Sequence, residues 1–376
     1  MTKLQWRRTW FQVHKWIGLA LAILIVPLCL SGAALVWDEA LDHALNPQRY
    51  AVTGTARLSP QAYLDAAAAR LKSGERVAQV QMGEGDDPVV VSAAGAGRQA
   101  RPGPPRRTQI YLDPPTARVL DVGSNGQGLV RFLHVLHGSL QIPGGWGRSI
   151  VGWIGVAMTL SAFTGVWLWW PRPASLRRAF RWRRYPDLSS NMHQSFGSWI
   201  ALPLFVLSLT GAWISFPQFF GALVGQGRPP GPDRMAQARA RPVERTRLPV
   251  ADAVARARTL AGGELRQVTW PTEKKPDWTV QLKPARGAPV QVSVADDDGV
   301  AALTPVPAGQ GGVARLMRRI HDGTGMGWLW QGIIFLGGLI PAMLAVTGVI
   351  MWWRARGWKA RLAERQRRGP MAGSAA

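Results

Sequence analysis

The chain has a single cysteine, Cys29, among 376 residues. One thiol cannot form a disulfide framework or a Cys-ligated zinc or iron–sulfur site, and covalent haem attachment needs a C-x-x-C-H run. The sequence also lacks a G-x-G-x-x-G run after a predicted strand, an H-E-x-x-H run and a G-x-S-x-G run. These absences argue against Rossmann-type NAD or flavin binding, zinc-dependent proteolysis and serine-hydrolase chemistry. Any cofactor must therefore be held non-covalently by other side chains.

Acidic residues are scarce: 22 Asp and Glu stand against 45 Lys and Arg, and the formal net charge is +23. With 47% hydrophobic and 18% charged residues, the chain is too apolar to be a disordered basic tail. The mean hydropathy of −0.02 beside this charge indicates very apolar segments that alternate with very polar ones.

Charge is nearly absent from four long stretches, residues 16–37, 149–170, 197–224 and 327–353. Each exceeds the roughly 20 residues that a helix needs to cross a bilayer. The first stretch is also longer than the apolar part of a typical signal peptide. We therefore predict four retained membrane spans.

Basic residues cluster at one end of the spans, in the N-terminal flank, the loop after the second span and the C-terminal tail. By the positive-inside rule this side is cytoplasmic. The net positive charge is then explained mainly by membrane topology, and a nucleic-acid partner is not expected. We expect a multi-pass protein of a bacterial inner membrane with both termini in the cytoplasm. The predicted organisation is a cytoplasmic N-terminus and first span (1–37), a first periplasmic segment (38–130), an outer histidine segment and second span (131–171), a basic cytoplasmic loop (172–190), a third span (191–224), a second periplasmic segment (225–320), an outer histidine segment and fourth span (321–353), and a basic cytoplasmic tail (354–376).

The two periplasmic segments have similar predicted elements. Each has one helix, at 59–71 or 248–260, followed by strands with alternating apolar residues. The predicted strands are 77–82, 89–93 and 109–112 in the first segment, and 267–270, 278–282 and 290–294 in the second. Stretches rich in Pro, Gly and Arg, at 97–107 and 227–247, are expected to be flexible excursions.

The sequence repeats internally. The first and third spans carry a His, two Gly and a Ser or Thr at identical spacing: His14, Gly18, Ser31 and Gly32 in one, and His193, Gly197, Thr210 and Gly211 in the other. The second and fourth spans match with a slip of one residue: His137, Thr164 and Gly165 against His321, Thr347 and Gly348. We predict an α-helical membrane protein whose four-helix bundle consists of two tandem repeats, each with a small α+β domain inserted between its two helices.

Except for His43, the histidines flank spans. His14 and His193 start the first and third spans on the cytoplasmic side. His137 and His321 precede the second and fourth spans on the outer side, and His134 lies one helical turn before His137.

Two histidines from equivalent helices at one depth, at each of two levels, are what two six-coordinate haems need. The other interpretations are a bound metal ion, or histidines that are merely solvated or hydrogen-bonded. Gly32 and Gly211 lie about five helical turns after His14 and His193, on the same helix face. Small residues there would let a flat macrocycle approach the backbone, or would simply pack helices together.

Arginines lie close in sequence to the outer histidines. Arg131 and Arg148 could pair with haem propionates. The alternative is that these side chains extend to the membrane interface.

The span motifs resemble those of the PepSY-associated transmembrane family. The resemblance rests on the H-x-x-x-G…[ST]-G pattern, the LHGSL and IHDG runs, the TG-x-x-x-WW endings and the outer helix-plus-strand units, which resemble PepSY domains. It covers nearly the whole chain. Members of the family include inner-membrane ferric-siderophore reductases, which carry b-type haems on transmembrane histidines and reduce iron in the periplasm.

This resemblance implies two non-covalent haem b groups. The inner haem would be held by His14 and His193, and the outer haem by His137 and His321. His134 has no counterpart before His321, so the outer ligand could be His134 or His137.

We therefore expect an oxidoreductase, a haem-containing transmembrane ferric-siderophore reductase, with no catalytic side chain beyond the haem ligands. Because no NAD or flavin site is predicted, the electron donor would be quinol or a cytoplasmic or membrane protein. The acceptor would be a ferric siderophore or another ferric chelate in the periplasm. The alternative is a PepSY-domain regulatory or scaffold membrane protein without redox activity. A transporter is disfavoured because the spans lack buried charged residues.

Overall fold

The computed structural model describes residues 2–95, 106–170, 182, 184–225, 240–304 and 312–368. The chain divides into a helical unit (Met1–Trp37, Leu133–Phe220, Gly312–Ala376) and a sheet unit (Asp38–Phe132, Gly221–Gly311). Most of the two predicted excursions, most of the basic loop and the end of the tail lie outside the described residues.

The elements follow one another along the chain as long helices separated by groups of strands. They are α1 (Lys3–Leu35), α2 (Asp38–Leu45), a 3₁₀ helix (Pro47–Tyr50), α3 (Pro60–Ala68), β1 (Arg76–Gln81), β2 (Val89–Ala94), β3 (Arg107–Leu112), β4 (Val119–Ser124), α4 (Leu129–Ser139), α5 (Gly145–Trp169), α6 (Leu188–Ser215), α7 (Pro217–Leu223), α8 (Val250–Ala261), β5 (Glu264–Thr269), β6 (Asp277–Lys283), β7 (Val290–Ala295), β8 (Ala301–Leu303), α9 (Val313–Asp322) and α10 (Gly327–Arg368).

Four of the described helices are long and apolar enough to cross a membrane: Lys3–Leu35, Gly145–Trp169, Leu188–Ser215 and Gly327–Trp358. They correspond to the four predicted spans. α1 packs against α5 and α10, and α6 packs against the same two helices. α1 and α6 are therefore diagonal neighbours in a four-helix bundle.

Glycines let these helices approach closely. A Cβ atom on Gly338 of α10 would lie 2.5 Å from the carbonyl oxygen of Cys29 on α1. A Cβ atom on Gly155 of α5 would lie 3.1 Å from the carbonyl oxygen of Ser208 on α6. Small residues at such contacts are the usual means of helix packing in membranes, because lipid provides no hydrophobic drive between helices.

The sheet unit contains one antiparallel sheet with the strand order β4-β3-β2-β1-β5-β6-β7-β8. α3 and α8 contribute Tyr63 and Ala253 to the same hydrophobic core as Val91, Val280 and Trp278 of the strands. Burial alternates along β6, as expected for a strand with one face on a core.

The two predicted outer domains thus share a single sheet and a single core. β1 and β5 are the first strands of two four-stranded meanders, and they pair with each other, with Val80 opposite Val268. An unpaired first strand would expose a row of backbone N–H and C=O groups at a sheet edge, and this pairing satisfies them. The predicted helices and strands are present with shifts of a few residues at their ends.

β4 and β8 were not predicted. Each follows a tight turn after the last predicted strand of its segment, and β8 has only 3 residues. The molecule is therefore a helical membrane protein with an inserted antiparallel sheet.

Candidate functional site

Two pairs of histidine rings lie inside the helical unit. The ring centroids of His14 on α1 and His193 on α6 are 6.3 Å apart. Those of His137 on α4 and His321 on α9 are 6.0 Å apart. Because α1 and α6 are diagonal in the bundle, His14 and His193 meet across its interior. The structure thus brings together the same two pairs that the sequence analysis proposed.

The two pairs lie at different depths. The His137 ring contacts the Leu28 carbonyl of α1, and the His321 ring contacts the Leu207 carbonyl of α6. Each of these carbonyls is about four helical turns, or about 21 Å, beyond His14 or His193 on the same helix. This distance is a large part of the roughly 30 Å hydrocarbon core of a bilayer, so the pairs lie towards opposite ends of the spans.

Each ring is held through its Nδ1 atom by a neighbouring helix. His14 Nδ1 lies 3.1 Å from both the Ser161 carbonyl and Thr164 Oγ1. His193 Nδ1 lies 3.1 Å from Thr347 Oγ1. His137 Nδ1 lies 2.9 Å from the Leu28 carbonyl. His321 Nδ1 lies 3.0 Å from the Leu207 carbonyl and 3.1 Å from Thr210 Oγ1.

These contacts define the tautomer of the imidazoles. A carbonyl oxygen can only accept, so Nδ1 carries the hydrogen wherever it contacts a carbonyl. In a neutral ring the lone pair then lies on Nε2. Within the described part of the chain, no hydrogen bond is made by Nε2 of these four rings. Nε2 is therefore the nitrogen that can bind a metal.

Each ring also lies against a glycine that follows a Ser or Thr. A Cβ atom would lie 2.6 Å from the His137 ring at Gly32, 3.0 Å from the His321 ring at Gly211, 3.3 Å from the His14 ring at Gly165 and 3.5 Å from the His193 ring at Gly348. We call the four dipeptides the seats: Ser31-Gly32, Thr164-Gly165, Thr210-Gly211 and Thr347-Gly348. Sequence analysis placed Gly32 and Gly211 where a macrocycle would approach, whereas in the structure they contact an imidazole from another helix.

The His137–His321 pair is half-buried and uncharged. His137 and His321 lie outside the four long spans, on α4 and α9. Burial lowers the pKa of His137, and it lowers the pKa of His321 to about 4. Both rings are neutral at physiological pH, the state in which imidazole binds metals.

The ring separations are compatible with one metal ion held between the two imidazoles of each pair. With a metal–nitrogen distance of about 2.0 Å and each nitrogen about 1.2 Å from its ring centroid, two imidazoles on opposite sides of one metal have centroids about 6.4 Å apart. The observed separations are 6.3 and 6.0 Å. Among the described residues, no group of three or more His, Cys, Asp or Glu could hold a metal ion. Two imidazoles suffice for haem, which supplies the other four ligands itself.

The remaining candidate residues are His134, Arg131 and Arg148. His134 is exposed on α4, so His137 is the histidine of this helix that faces His321. The Arg148 guanidinium is exposed and donates to the Ile214 carbonyl near the end of α6. Arg131 belongs to the part of α4 assigned to the sheet unit. His43 stacks on Tyr50 in the sheet unit.

Sequence analysis missed the hydrogen-bonding role of Thr164, Thr210 and Thr347. The signal for it was present, because a Ser or Thr precedes the matching glycine in every span. The spacing alone did not indicate which ring each dipeptide contacts.

Four apolar helices and an inserted antiparallel sheet define a multi-pass helical membrane protein, and two half-buried histidine pairs lie within its helical unit. The family described as PepSY-associated TM region matches residues 11–355, and the chain belongs to this family. No curated protein matches the chain.

Proposed function

We propose that the protein is a di-haem b reductase of the inner membrane, which passes electrons outward to reduce a ferric siderophore or similar chelate in the periplasm and release Fe(II). The observation that carries this proposal is the pairing of the four imidazoles. Each pair has the centroid separation of two axial ligands, and each ring is anchored through Nδ1. Membership of the family supports a membrane protein of this architecture.

The residues of each pair would share one task. His14 and His193 would hold one haem on the cytoplasmic side, and His137 and His321 would hold the other on the periplasmic side. When bound, haem b would supply a one-electron carrier at each depth. The buried cluster of Ile25, Leu28, Cys29, Ile154, Met158 and Ala342 keeps the interior of the bundle apolar.

The orientation and the partners follow from charge. By the positive-inside rule, the basic flanks and tail support cytoplasmic termini, and the sheet unit would then lie in the periplasm. The second outer segment (225–320) has 16 Lys and Arg against 9 Asp and Glu, and this positive surplus would attract an anionic ferric chelate. Since the sequence has no Rossmann motif, quinol or a protein partner would donate the electrons.

The chain would have arisen by tandem duplication. In support of this, α1 and α5 hold the rings of His137 and His14 just as α6 and α10 hold those of His321 and His193. The two four-stranded meanders, each accompanied by one helix, follow the same division.

The first test is a reduced-minus-oxidised absorbance spectrum of the purified protein with its haem-to-protein ratio. We expect two haem b groups per chain. His14→Ala and His321→Ala should each remove one haem, because each takes one axial ligand from a different pair. His134→Ala is the matched control, since it removes an exposed histidine of the helix that carries His137, and it should retain both. A colourless protein, or single variants that keep both haems, would contradict the assignment.

The second test separates a reductase from a haem-binding scaffold. The purified protein is reduced anaerobically and mixed with a ferric hydroxamate or ferric citrate. Oxidation of the haem signal with trapping of Fe(II) by a ferrous chelator is expected. A haem-loaded protein that stays reduced would favour the regulatory or scaffold alternative.

A further inference from the structure

We propose that Thr164, Thr210 and Thr347 are positioning residues whose hydroxyls fix the orientation of the axial imidazoles and thereby help set the redox potential of each haem. The inference rests on the proposed function. The inference goes beyond the proposed function because it assigns a positioning role to three side chains that are not haem ligands and that the family match does not identify.

The geometry of the hydroxyls supports this role. Each threonine Oγ1 donates its hydrogen to a carbonyl of its own helix: Thr164 to Ser161 at 3.0 Å, Thr210 to Val206 at 2.8 Å, and Thr347 to Met343 at 3.0 Å. With that hydrogen committed, Oγ1 can only accept from the imidazole Nδ1. The contact is therefore directional, since it holds one ring nitrogen at a fixed point of a rigid helix.

Water does not compete for these contacts. Thr164 is completely buried, and Thr210 and Thr347 are buried as well. A hydrogen bond in such an apolar interior is stronger than one exposed to solvent.

The fourth seat differs from the other three. The Ser31 hydroxyl donates to the Leu28 carbonyl at 2.9 Å, and this same carbonyl is the described partner of His137 Nδ1. His137 is thus held by a carbonyl without a hydroxyl. The His14–His193 pair has a threonine on both rings, whereas the His137–His321 pair has one only on His321.

The seats also hold the two pairs in different mutual orientations. The His14 and His193 ring planes are at 88°, and the His137 and His321 ring planes are at 36°. When the planes of two axial imidazoles are nearly perpendicular, the two iron d orbitals that interact with them are nearly equal in energy. When the planes are closer to parallel, the energies of these two orbitals differ. The two ferric centres should therefore give distinct low-spin EPR signals.

The expected effect on potential has a definite sign. An Nδ1–H donated to an acceptor makes the ligating nitrogen more basic and favours the ferric state. Removal of the acceptor hydroxyl should raise the potential. Val replaces Thr with nearly the same shape but no hydroxyl, so the packing of the seat is retained.

The experiment is a spectroscopic redox titration of the full-length haem-loaded protein and its variants. Thr164→Val and Thr347→Val should raise the same one of the two midpoint potentials and change the EPR signal of the crossed pair. Thr210→Val should raise the other potential. Thr159→Val is the matched control, since Thr159 lies on the same helix as Thr164 and donates to the Gly155 carbonyl at 2.8 Å. Thr164→Ser, which keeps the hydroxyl, should behave like the wild type.

The outcomes are distinct. Loss of one haem in Thr164→Val with retention in Thr164→Ser and Thr159→Val would also support positioning by the hydroxyl. Unshifted potentials and EPR signals in all three Val variants would overturn the inference while leaving the proposed function intact. So would equal haem loss in Thr164→Ser, because packing would then be responsible. A wild-type protein without haem would overturn the proposed function, and this inference with it.

Discussion

Replacement of Gly32 by alanine should weaken the His137–His321 site and leave the His14–His193 site intact. The new Cβ atom would lie 2.6 Å from Cε1 and 3.0 Å from Nδ1 of His137. Carbon atoms in contact prefer about 3.5 Å, so the ring would have to retreat by about 0.9 Å. Leu28 is one turn away on the same helix, and a retreat of this size would also stretch the 2.9 Å contact between Nδ1 and its carbonyl.

The cost can be estimated from these contacts. Overpacking of a well-packed interior costs about 1–3 kcal/mol, and loss of the hydrogen bond adds about 1 kcal/mol. Alanine has a better helix propensity than glycine, and this offsets about 1 kcal/mol of the cost. The net effect is about 1–3 kcal/mol, which corresponds to a roughly 5- to 150-fold loss in retention of a bound group.

The assay is the haem-to-protein ratio of purified protein after repeated gel filtration, with the reduced-minus-oxidised spectrum. Gly348→Ala is the matched control, because its Cβ would lie 3.5 Å from the His193 ring, an ordinary contact distance. Gly32→Ala should hold one haem per chain and Gly348→Ala two. Equal haem contents in the two variants would refute the reasoning from Cβ distances.

Two further predictions concern the stability of each unit. Gly338→Ala should lower the thermal unfolding temperature, because its Cβ would lie 2.5 Å from the Cys29 carbonyl at the contact of α1 with α10. Gly332→Ala, on the same helix but with open space around its Cβ, should leave the unfolding temperature unchanged. Equal shifts in the two variants would contradict the packing argument. In the sheet unit, burial raises the pKa of the Asp113 carboxyl, but hydrogen bonds from Thr116 and Thr53 outweigh burial and the net pKa is lowered. A lowered pKa stabilises the fold above the ordinary Asp value of about 3.9, and this stabilisation is lost as pH falls through the folded-state pKa. Asp113→Asn should therefore be less stable than the wild type at neutral pH, and the difference should shrink in acid when unfolding midpoints are measured from about pH 7 to pH 3. A difference in midpoint that does not change with pH would contradict the lowered pKa of Asp113.

The spans and the histidine pairs could be predicted because they depend on local properties. A long uncharged apolar segment is stable only in a bilayer or a protein core, because both keep its side chains out of water. The four segments of this kind correspond to the four long helices. The position of His14 or His193 relative to its span fixes its depth, and equal depth was enough to pair them. Equal depth likewise paired His321 with either His134 or His137, and in the structure the His137 and His321 ring centroids are 6.0 Å apart.

The seats and the single sheet could not be predicted because they depend on tertiary packing. Helical periodicity placed Gly32 on the same face as His14, but the residue that Gly32 contacts, His137, comes from another helix. Pairing of β1 with β5 joins strands that are about half of the chain apart in sequence, and no local pattern indicates it. The choice of His137 over His134 likewise required the orientation of α4.

The Thr347-Gly348 seat determines when the His14–His193 site can form during synthesis. The His193 ring rests on Thr347 of α10, the last of the described helices. Although His14 and His193 belong to the first and third spans, this pair is not fully held until α10 has entered the membrane. The His137–His321 pair needs no residue of α10, because its rings are held by α1 and α6. The haem proposed for the His14–His193 pair would therefore be loaded only after translation and insertion are complete.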